Sequence, residues 1–401
     1  MKSWNNGITK LIMALIVSVS FFLFQTSTYA AADTWTYQSP MPYNRLEAGV
    51  VEVGGKVYFI GGFVNNAASA KVDVFDPQSN TWTSKSNMPT ARSSFSTEVV
   101  GGKIYVMGGS QGNPVVLNTT YTNVLEVYDP VLDTWTTKTP SSVVRGLTAS
   151  AAVYGKIYLI GGLNATSVGL NKVEEYNIAS NTWTTKTNIP TAVHAPGATA
   201  YGGKIYVFDG GYEVATYNKV QVYDPALDTW SYKSSAPTSR DNVVAVNFNN
   251  KIYVIGGYID VNTGISTVES YDPVNDSWKT EANLNFGRWG FGSVVLNNSL
   301  YVFGGGVNTV EKLNLAISEV PVTGRAILTI YLTNGTEKEY DLAMTEVNSF
   351  IQWYDAKDSG VGPAKYKFIK TWNIGPFKSR TEYVIFDKIL TFNVDEYSVE
   401  E

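Results

Sequence analysis

An all-β fold made of six copies of one short-stranded unit, followed by a small α+β unit, is what three features of the sequence predict. Tryptophan recurs at Trp35, Trp82, Trp135, Trp183, Trp230 and Trp278, with spacings of 47, 53, 48, 47 and 48 residues. A strand–turn–strand pattern ending in a glycine pair recurs in the same period. The composition agrees: 35 Gly, 26 Tyr and 10 Trp in 401 residues suit short strands and tight turns better than long helices. With 44% hydrophobic and 16% charged residues the chain has material for a core and is not a disordered polymer.

Taken in order, the chain begins with an address. Lys2 and Lys10 bracket a polar stretch, and Leu11 to Phe24 form an apolar run. Small residues follow, ending Ala30-Ala31-Ala32. A run this short falls below the ~20 residues a bilayer needs, so residues 1–32 are expected to be a cleaved secretory signal. The mature protein is then expected outside the cell, with no membrane span and as a monomer. There is no cysteine, which excludes disulfides, thiolate nucleophiles, cysteine-ligated metals and lipid attachment through cysteine. A single histidine excludes a His-rich metal site. The net charge of -5 argues against nucleic-acid binding.

Each repeat reads as four strands. A hairpin such as Val53-Gly54-Gly55-Lys56-Val57-Tyr58 gives the first two. The second strand is an apolar run that ends in a glycine pair: Gly61-Gly62, Gly108-Gly109, Gly161-Gly162, Gly256-Gly257 and Gly304-Gly305, with Asp209-Gly210 in the fourth copy. Such a pair permits positive φ or close backbone approach. A third strand ends in Tyr128-Asp129-Pro130 or a variant, and the tryptophan lies on the fourth. Four short strands per repeat make one blade of a propeller.

These motifs, with Met88-Pro89-Thr90-Ala91-Arg92 leading into the next unit, resemble the kelch repeat. The resemblance spans roughly residues 33 to 317 and implies a kelch β-propeller. Its first unit has Trp35 without a preceding glycine pair, and its last has Gly304-Gly305 without a following tryptophan. The two fragments complement each other. A six-bladed propeller over 33–320, closed by the N-terminal strand, is therefore expected.

Beyond it, over 321–401, the repeat stops and the charge density rises. Ala326–Leu332 and Glu337–Asp341 flank Asn334-Gly335, a type I′ hairpin pattern. Val347, Phe350, Ile351 and Tyr354 have helical spacing and predict a helix over 345–357. Lys365–Trp372 and Tyr383–Val394 read as two more strands, giving a ββαββ module. It is either an attachment module for an envelope polymer or partner, or a cover for the propeller's edge or bottom.

Function should be sought where the repeat breaks. Arg45, Arg92, Arg145, Arg240 and Arg288, with His194 read as the sixth member, are expected near one channel mouth. There they either tie neighbouring segments together, as the kelch pattern implies, or contact an anionic ligand. His194 and Asp209, in the same repeat, are the acid–base candidates if the protein is an enzyme. Asp209 can instead pair with an arginine. Trp289 and Tyr258, with Tyr43, Tyr212, Phe286 and Phe291, are aromatic candidates for sugar stacking. The long loop Ser110–Thr122 offers binding diversity, and Asp260 to Gly264 resembles only the start of a calcium loop. The kelch resemblance also implies activities. The copper radical oxidases need a Cys–Tyr link and two histidines, which this chain lacks. Sialic-acid mutarotases and propeller-fold lyases use Arg, Tyr, His and carboxylates, which it has. Intracellular relatives bind proteins but carry BTB or F-box partners, absent here. The expectation is a secreted binding protein that recognises a glycan or protein at the mouth, without cofactor or metal. The alternative is an enzyme acting on an acidic sugar.

Overall fold

A computed structural model describes residues 33–113, 120–166, 169–212, 215–260, 263–314, 325–358, 364–370 and 380–397. The predicted signal over residues 1–32 lies outside these. Six four-stranded antiparallel sheets stand around an axis. Their innermost strands are Gly49–Val53, Ser96–Val100, Ala149–Val153, Gly197–Tyr201, Val244–Phe248 and Phe291–Leu296. Each lies against the next, and the sixth lies against the first, so the ring is closed. The chain is a six-bladed β-propeller, as its repeats predict.

The blades follow from local chemistry. In blade 1 the first hairpin turns at Gly54 and Gly55, whose φ values of 61° and 80° suit a type I′ turn. The second strand, Lys56–Ile60, buries four of its five residues because sheets cover both of its faces. A β-carbon on Gly61 would come 2.7 Å from the Arg92 carbonyl, so the pair is glycine for closeness as well as for φ. Aromatic pairs then fill the space between and within blades: Tyr128 and Trp135, like Tyr176 and Trp183, sit 5.0 Å apart.

The tryptophans also stitch blade to blade. Nε1 of Trp135, Trp183, Trp230, Trp278 and Trp35 donates to the carbonyl of Ser86, Thr139, Thr187, Ser234 and Ala282, each at 2.8–2.9 Å. The sixth junction, between blades 6 and 1, lacks this bond: buried Trp82 Nε1 has no hydrogen-bond partner. Closure is as expected. The strand Thr34–Tyr37 completes blade 6, with Thr34 opposite Asn314 and Tyr37 opposite Glu311.

After the propeller, Arg325–Leu332 lies between Glu337–Ala343 and Ile389–Tyr397 in a three-stranded sheet. The helix Met344–Asp358 and the hairpin Lys365–Lys370/Arg380–Ile385 pack with it around Leu328, Tyr340, Phe350, Phe368 and Val384. Two details differ from expectation. The last predicted strand is two strands, broken by a 3-10 turn at Phe386–Lys388, so the order is ββαβββ. The Asn334-Gly335 turn has positive φ at Gly335 alone, whereas type I′ needs it at two residues. Among the described residues no helix is long and apolar enough to cross a membrane.

If the N-terminal strand closes the ring, a chain lacking residues 33–38 should unfold less cooperatively and at lower temperature than the protein starting at Asp33. Calorimetry reads this directly, and an unchanged single transition would contradict the closure.

Candidate functional site

The five arginines come first, because the structure removes them from the mouth. Arg45, Arg92, Arg145, Arg240 and Arg288 are each no more than 1% exposed. Each guanidinium pairs with the second residue of its own blade's third strand: Asp73, Glu126, Glu174, Glu269 and Glu311 respectively. The Arg92, Arg145 and Arg240 pairs are 2.8 Å long. Backbone carbonyls take further donors, as Gly161, Lys172 and Leu159 do from Arg145. Burial pulls Arg92 and Arg145 down to about 10, which leaves them charged at neutral pH. The expectation of arginines open to an anionic ligand is therefore corrected: their donors are turned inward and enclosed.

His194 is not the sixth member of that set. Gly62 N–H donates to the Arg92 carbonyl and Gly162 N–H to that of Val193, so Val193 holds the arginine place in blade 4. Buried Gln221 stands where the other blades have a carboxylate and accepts from Thr191 N–H at 2.8 Å. The arginine and its acid are replaced together. Asp209 is not the partner of His194 either. It is 1% exposed and lies 3.3 Å from Arg240 Nε. Burial raises its pKa well above the ordinary aspartate value, against the opposing pull of Arg240.

Two residues past the arginine place the chain reaches the axis. Glu47, Ser94, Leu147, Ala195, Asn242 and Gly290 all have left-handed φ, between 46° and 60°. That conformation turns each amide toward the preceding blade. Ser94 N–H donates to the Glu47 carbonyl, Leu147 to Ser94, Ala195 to Leu147, Asn242 to Ala195 and Glu47 to Gly290, over 2.7–3.0 Å. Gly290 N–H closes the circle on Asn242 Oδ1 at 2.7 Å.

A polar cluster gathers at this ring on blades 4 to 6. His194 Nε2 is 2.9 Å from Asp241 Oδ2, and Tyr258 OH donates to the same oxygen at 3.1 Å. Asn242 N–H donates to Asp241 Oδ1 at 2.6 Å, and its Nδ2 donates to Glu47 Oε1 at 2.6 Å. The Trp289 ring meets Tyr258 edge to face at 5.8 Å. Gly211 leaves the room, since a β-carbon there would lie 2.4 Å from Asp241 Oδ2 and 2.9 Å from His194 Nε2. Desolvation, aided by Asp241, pushes Glu47 up to about 7, against the Asn242 hydrogen bond. Desolvation and Asp241 also push the Tyr258 hydroxyl up. Burial lifts Tyr121 to about 12, with Glu47 adding to it.

Sequence reading found His194, Tyr258 and Trp289 but missed Asp241, Asn242 and Glu47. A signal for them existed: the two residues after the arginine place differ in every repeat, from Leu46-Glu47 to Trp289-Gly290. The other aromatics are scattered. Tyr43 donates to Asp73, Phe291 is buried in the core, and Phe286 is 51% exposed. The side chain of Tyr212, residues 114–119 of the long loop and residues 261–262 of the calcium-like stretch lie outside the described set.

Below the ring the inner strands enclose a channel of about 1500 Å³. Glu98 lines it, accepts from Ser150 Oγ at 2.6 Å and is pushed by burial up to about 7. Among the described residues no three His, Cys, Asp or Glu side chains gather as a metal site.

A family model described as the Attractin/LZTR1 beta-propeller matches residues 57–312. An uncharacterized protein of Clostridium acetobutylicum is 36% identical over 90 residues, which is 22% of this chain. The match spans only 23% of that relative's length. The solved structure of YjhT is similar with a TM-score of 0.58 at 17% identity, over 69% of this chain and 96% of that one. At that identity the likeness shows the fold.

Two predictions test the site's frame. Arg145→Ala should cost about 3–5 kcal/mol by leaving Glu174 buried and unpaired. Arg145→Val with Glu174→Gln, the arrangement blade 4 already uses, should recover most of it in urea titrations. Glu47 and Glu98 should make stability depend on pH. Their folded values, about 7, exceed the ordinary 4.5, so folding takes up protons. Stability is then full below about pH 4.5 on their account and falls as pH rises through 7, by up to about 3 kcal/mol for each. Glu98→Gln should melt above the parent protein at pH 8 and level with it at pH 5. The same gap at both pH values would refute this.

Proposed function

The chain belongs to the Attractin/LZTR1 β-propeller family, a kelch-type fold, and on that footing we propose that it is a secreted protein that binds a hydroxyl-rich glycan at the propeller mouth. The observation that carries this reading is the Tyr258–Asp241–His194 string beside Trp289. His194 and Tyr258, held from behind by the buried Asp241 carboxylate, offer polar edges to sugar hydroxyls, and Trp289 offers an apolar ring face. These groups stand on a rigid ring at positions that vary from blade to blade, where recognition is built without altering the scaffold. Export rests on the apolar run Leu11 to Phe24 and the small residues after it. The module over 321–401 is proposed as a second contact with the cell envelope.

The enclosed arginines bear on the choice of sugar. The five arginines of the repeat are enclosed and hold no ligand carboxylate at the mouth, so a neutral glycan suits the site better than an acidic one. Catalysis is the second reading. His194 held against Asp241 is the geometry of an oriented acid–base residue, with Glu47 as a further titrating group nearby.

Affinity electrophoresis against neutral and acidic glycans, with NMR on the same mixtures, separates these readings. Retention by a neutral glycan that survives added salt, without new signals, supports binding. Trp289→Ala should then weaken it about tenfold, the scale of one lost aromatic contact. Retention only by acidic glycans, or none with either class, contradicts the proposal. Chemical turnover lost in His194→Ala favours the enzyme.

A further inference from the structure

Of the six positions that precede the ring, five carry a side chain: Leu46, Ser93, His194, Asp241 and Trp289. The sixth, in blade 3, is Gly146. The room above it is taken by an aromatic ring from the longest loop. A β-carbon on Gly146 would lie 2.9 Å from Tyr121 Cδ1, 3.0 Å from its Cε1 and 3.2 Å from the Ser94 carbonyl, which belongs to the ring. The stem of that loop is fixed by backbone bonds. Thr122 N–H donates to Gly109 at 2.9 Å, Gln111 N–H to Thr120 at 2.8 Å, and Ser93 and Ser110 donate to each other at 2.8 and 2.7 Å. Tyr121 is therefore held in place, and it remains partly exposed.

Blades 3 and 6 are opposite each other in the closed ring of six, so Tyr121, above Gly146, stands across the mouth from Trp289. Neighbouring ring residues are joined by one N–H···O bond, which sets their Cα atoms about 5 Å apart and the hexagon about 10 Å across. One sugar ring with an aromatic ring on each face takes about 7–8 Å, at about 3.5–4.0 Å for each contact. The gap admits one sugar ring and no second chain beside it. Its floor is closed. Glu47 and Asn242 reach toward each other from blades 1 and 5 and are bonded at 2.6 Å. Glu47, Leu147, Ala195 and Asn242 roof the channel beneath, which Tyr121, His194, Tyr258 and Trp289 do not line. After burial, and after Asp241 for Tyr258, Glu47 adds to the raised pKa of both tyrosine hydroxyls, so both stand within reach of its charge. His194 and Tyr258, joined through Asp241, close the side at blades 4 and 5. A polymer cannot thread through a recess of this shape.

We propose that the mouth is a socket for the end of a neutral glycan chain, with the terminal sugar ring held between Trp289 and Tyr121. Its apolar faces meet the two aromatic rings, and its hydroxyl edge meets His194 and Tyr258. The rest of the chain leaves away from the ring into solvent. Gly146 is then glycine because a side chain there would push Tyr121 out of the wall. The inference rests on the glycan reading and adds to it which part of the chain is recognised.

Titration calorimetry with maltohexaose, cellohexaose, xylohexaose, mannohexaose and chitohexaose tests it. At least one is expected to bind, and the number of proteins per chain is expected to stay at one as that same sugar is lengthened severalfold. Tyr121→Ala and Trp289→Ala should each weaken binding about tenfold, and Tyr121→Phe should keep most of what Tyr121→Ala loses. On the parent protein, NMR contacts should run from the terminal sugar's ring protons to both Tyr121 and Trp289, which requires no variant to fold. Several proteins on one long chain, or contacts from internal units to these rings, would overturn the socket and leave the glycan reading standing. So would an affinity that falls in Trp289→Ala but not in folded Tyr121→Ala. No binding by any of the five sugars overturns both.

Discussion

The ring of six left-handed residues at the start of the inner strands is the constraint on which the rest of the molecule depends. A β-propeller has no layer behind its innermost strands, so those strands must hold one another. Here they do so by passing a backbone amide from each blade to the one before, onto its carbonyl in five steps and onto the Asn242 side chain in the sixth. The arrangement requires positive φ at Glu47, Ser94, Leu147, Ala195 and Asn242, an uncommon state for residues with a β-carbon. The strain is offset by a hydrogen bond at every step. Once the ring is fixed, the residue before it is presented at the mouth, and the strand after it lines the channel. Apart from Asn242, whose side chain makes the sixth bond, side chains at both places are free to vary, because the other five bonds are made by the backbone.

The buried arginines are a second frame, outside the ring. Enclosing a charged pair costs desolvation that its attraction seldom repays by much. What each pair does is join the loop entering its blade to the third strand and to nearby backbone carbonyls, as Arg145 does with Glu174 and with Gly161, Lys172 and Leu159. Blade 4 shows that the charges themselves are dispensable. Val193 and Gln221 replace both partners, and the strand register is unchanged. Asp209 then enters the space beside Arg240, so the arginine of blade 5 faces two carboxylates. Loss of one pair and gain of an extra acid are neighbouring events in the same corner of the propeller.

These particulars explain what the sequence could and could not reveal. Period, blade number and closure were legible because they rest on glycine pairs and tryptophans whose roles are local and repeat six times. His194 was assigned one place too early in the pattern, although Val193 stands three residues after Pro190 and ten after Trp183, the offsets at which Arg92 follows Pro89 and Trp82. Backbone hydrogen bonds resolve it, since Gly162 donates to Val193 and not to His194. Asp241, Asn242 and Glu47 were illegible as a group: Glu47 is 195 positions from the side chain it accepts from. Only the ring brings blade 1 beside blades 5 and 6. The fate of the arginines was open for a related reason. A basic residue beside a predicted mouth can face either way, and its acid lies on a strand some 30 residues later.

The junction between blades 6 and 1 follows from the same logic. Four junctions pair an outer-strand tryptophan with a carbonyl and add a turn side chain on the same segment, as Asp133 accepts from Ser86 N–H and Asp228 from Thr187 N–H. At the closing seam Phe75 replaces the tyrosine that elsewhere anchors that acid, and Trp82 has no acceptor. The strand facing this seam is Thr34–Tyr37, which arrives from the other end of the chain and is held to blade 6 by its own ladder. A segment that comes from the far end of the chain gains more from pairing along a whole strand than from single contacts across a seam. Pairing along the strand buries Trp35 and joins Thr36 to Asn314 and Asn285 to the Trp35 carbonyl. Contacts across the seam would add only isolated bonds of about 1 kcal/mol each. The seam therefore relies on aromatic packing among Phe75, Trp82 and Phe303, which tolerates small offsets, instead of directional bonds that would demand exact placement.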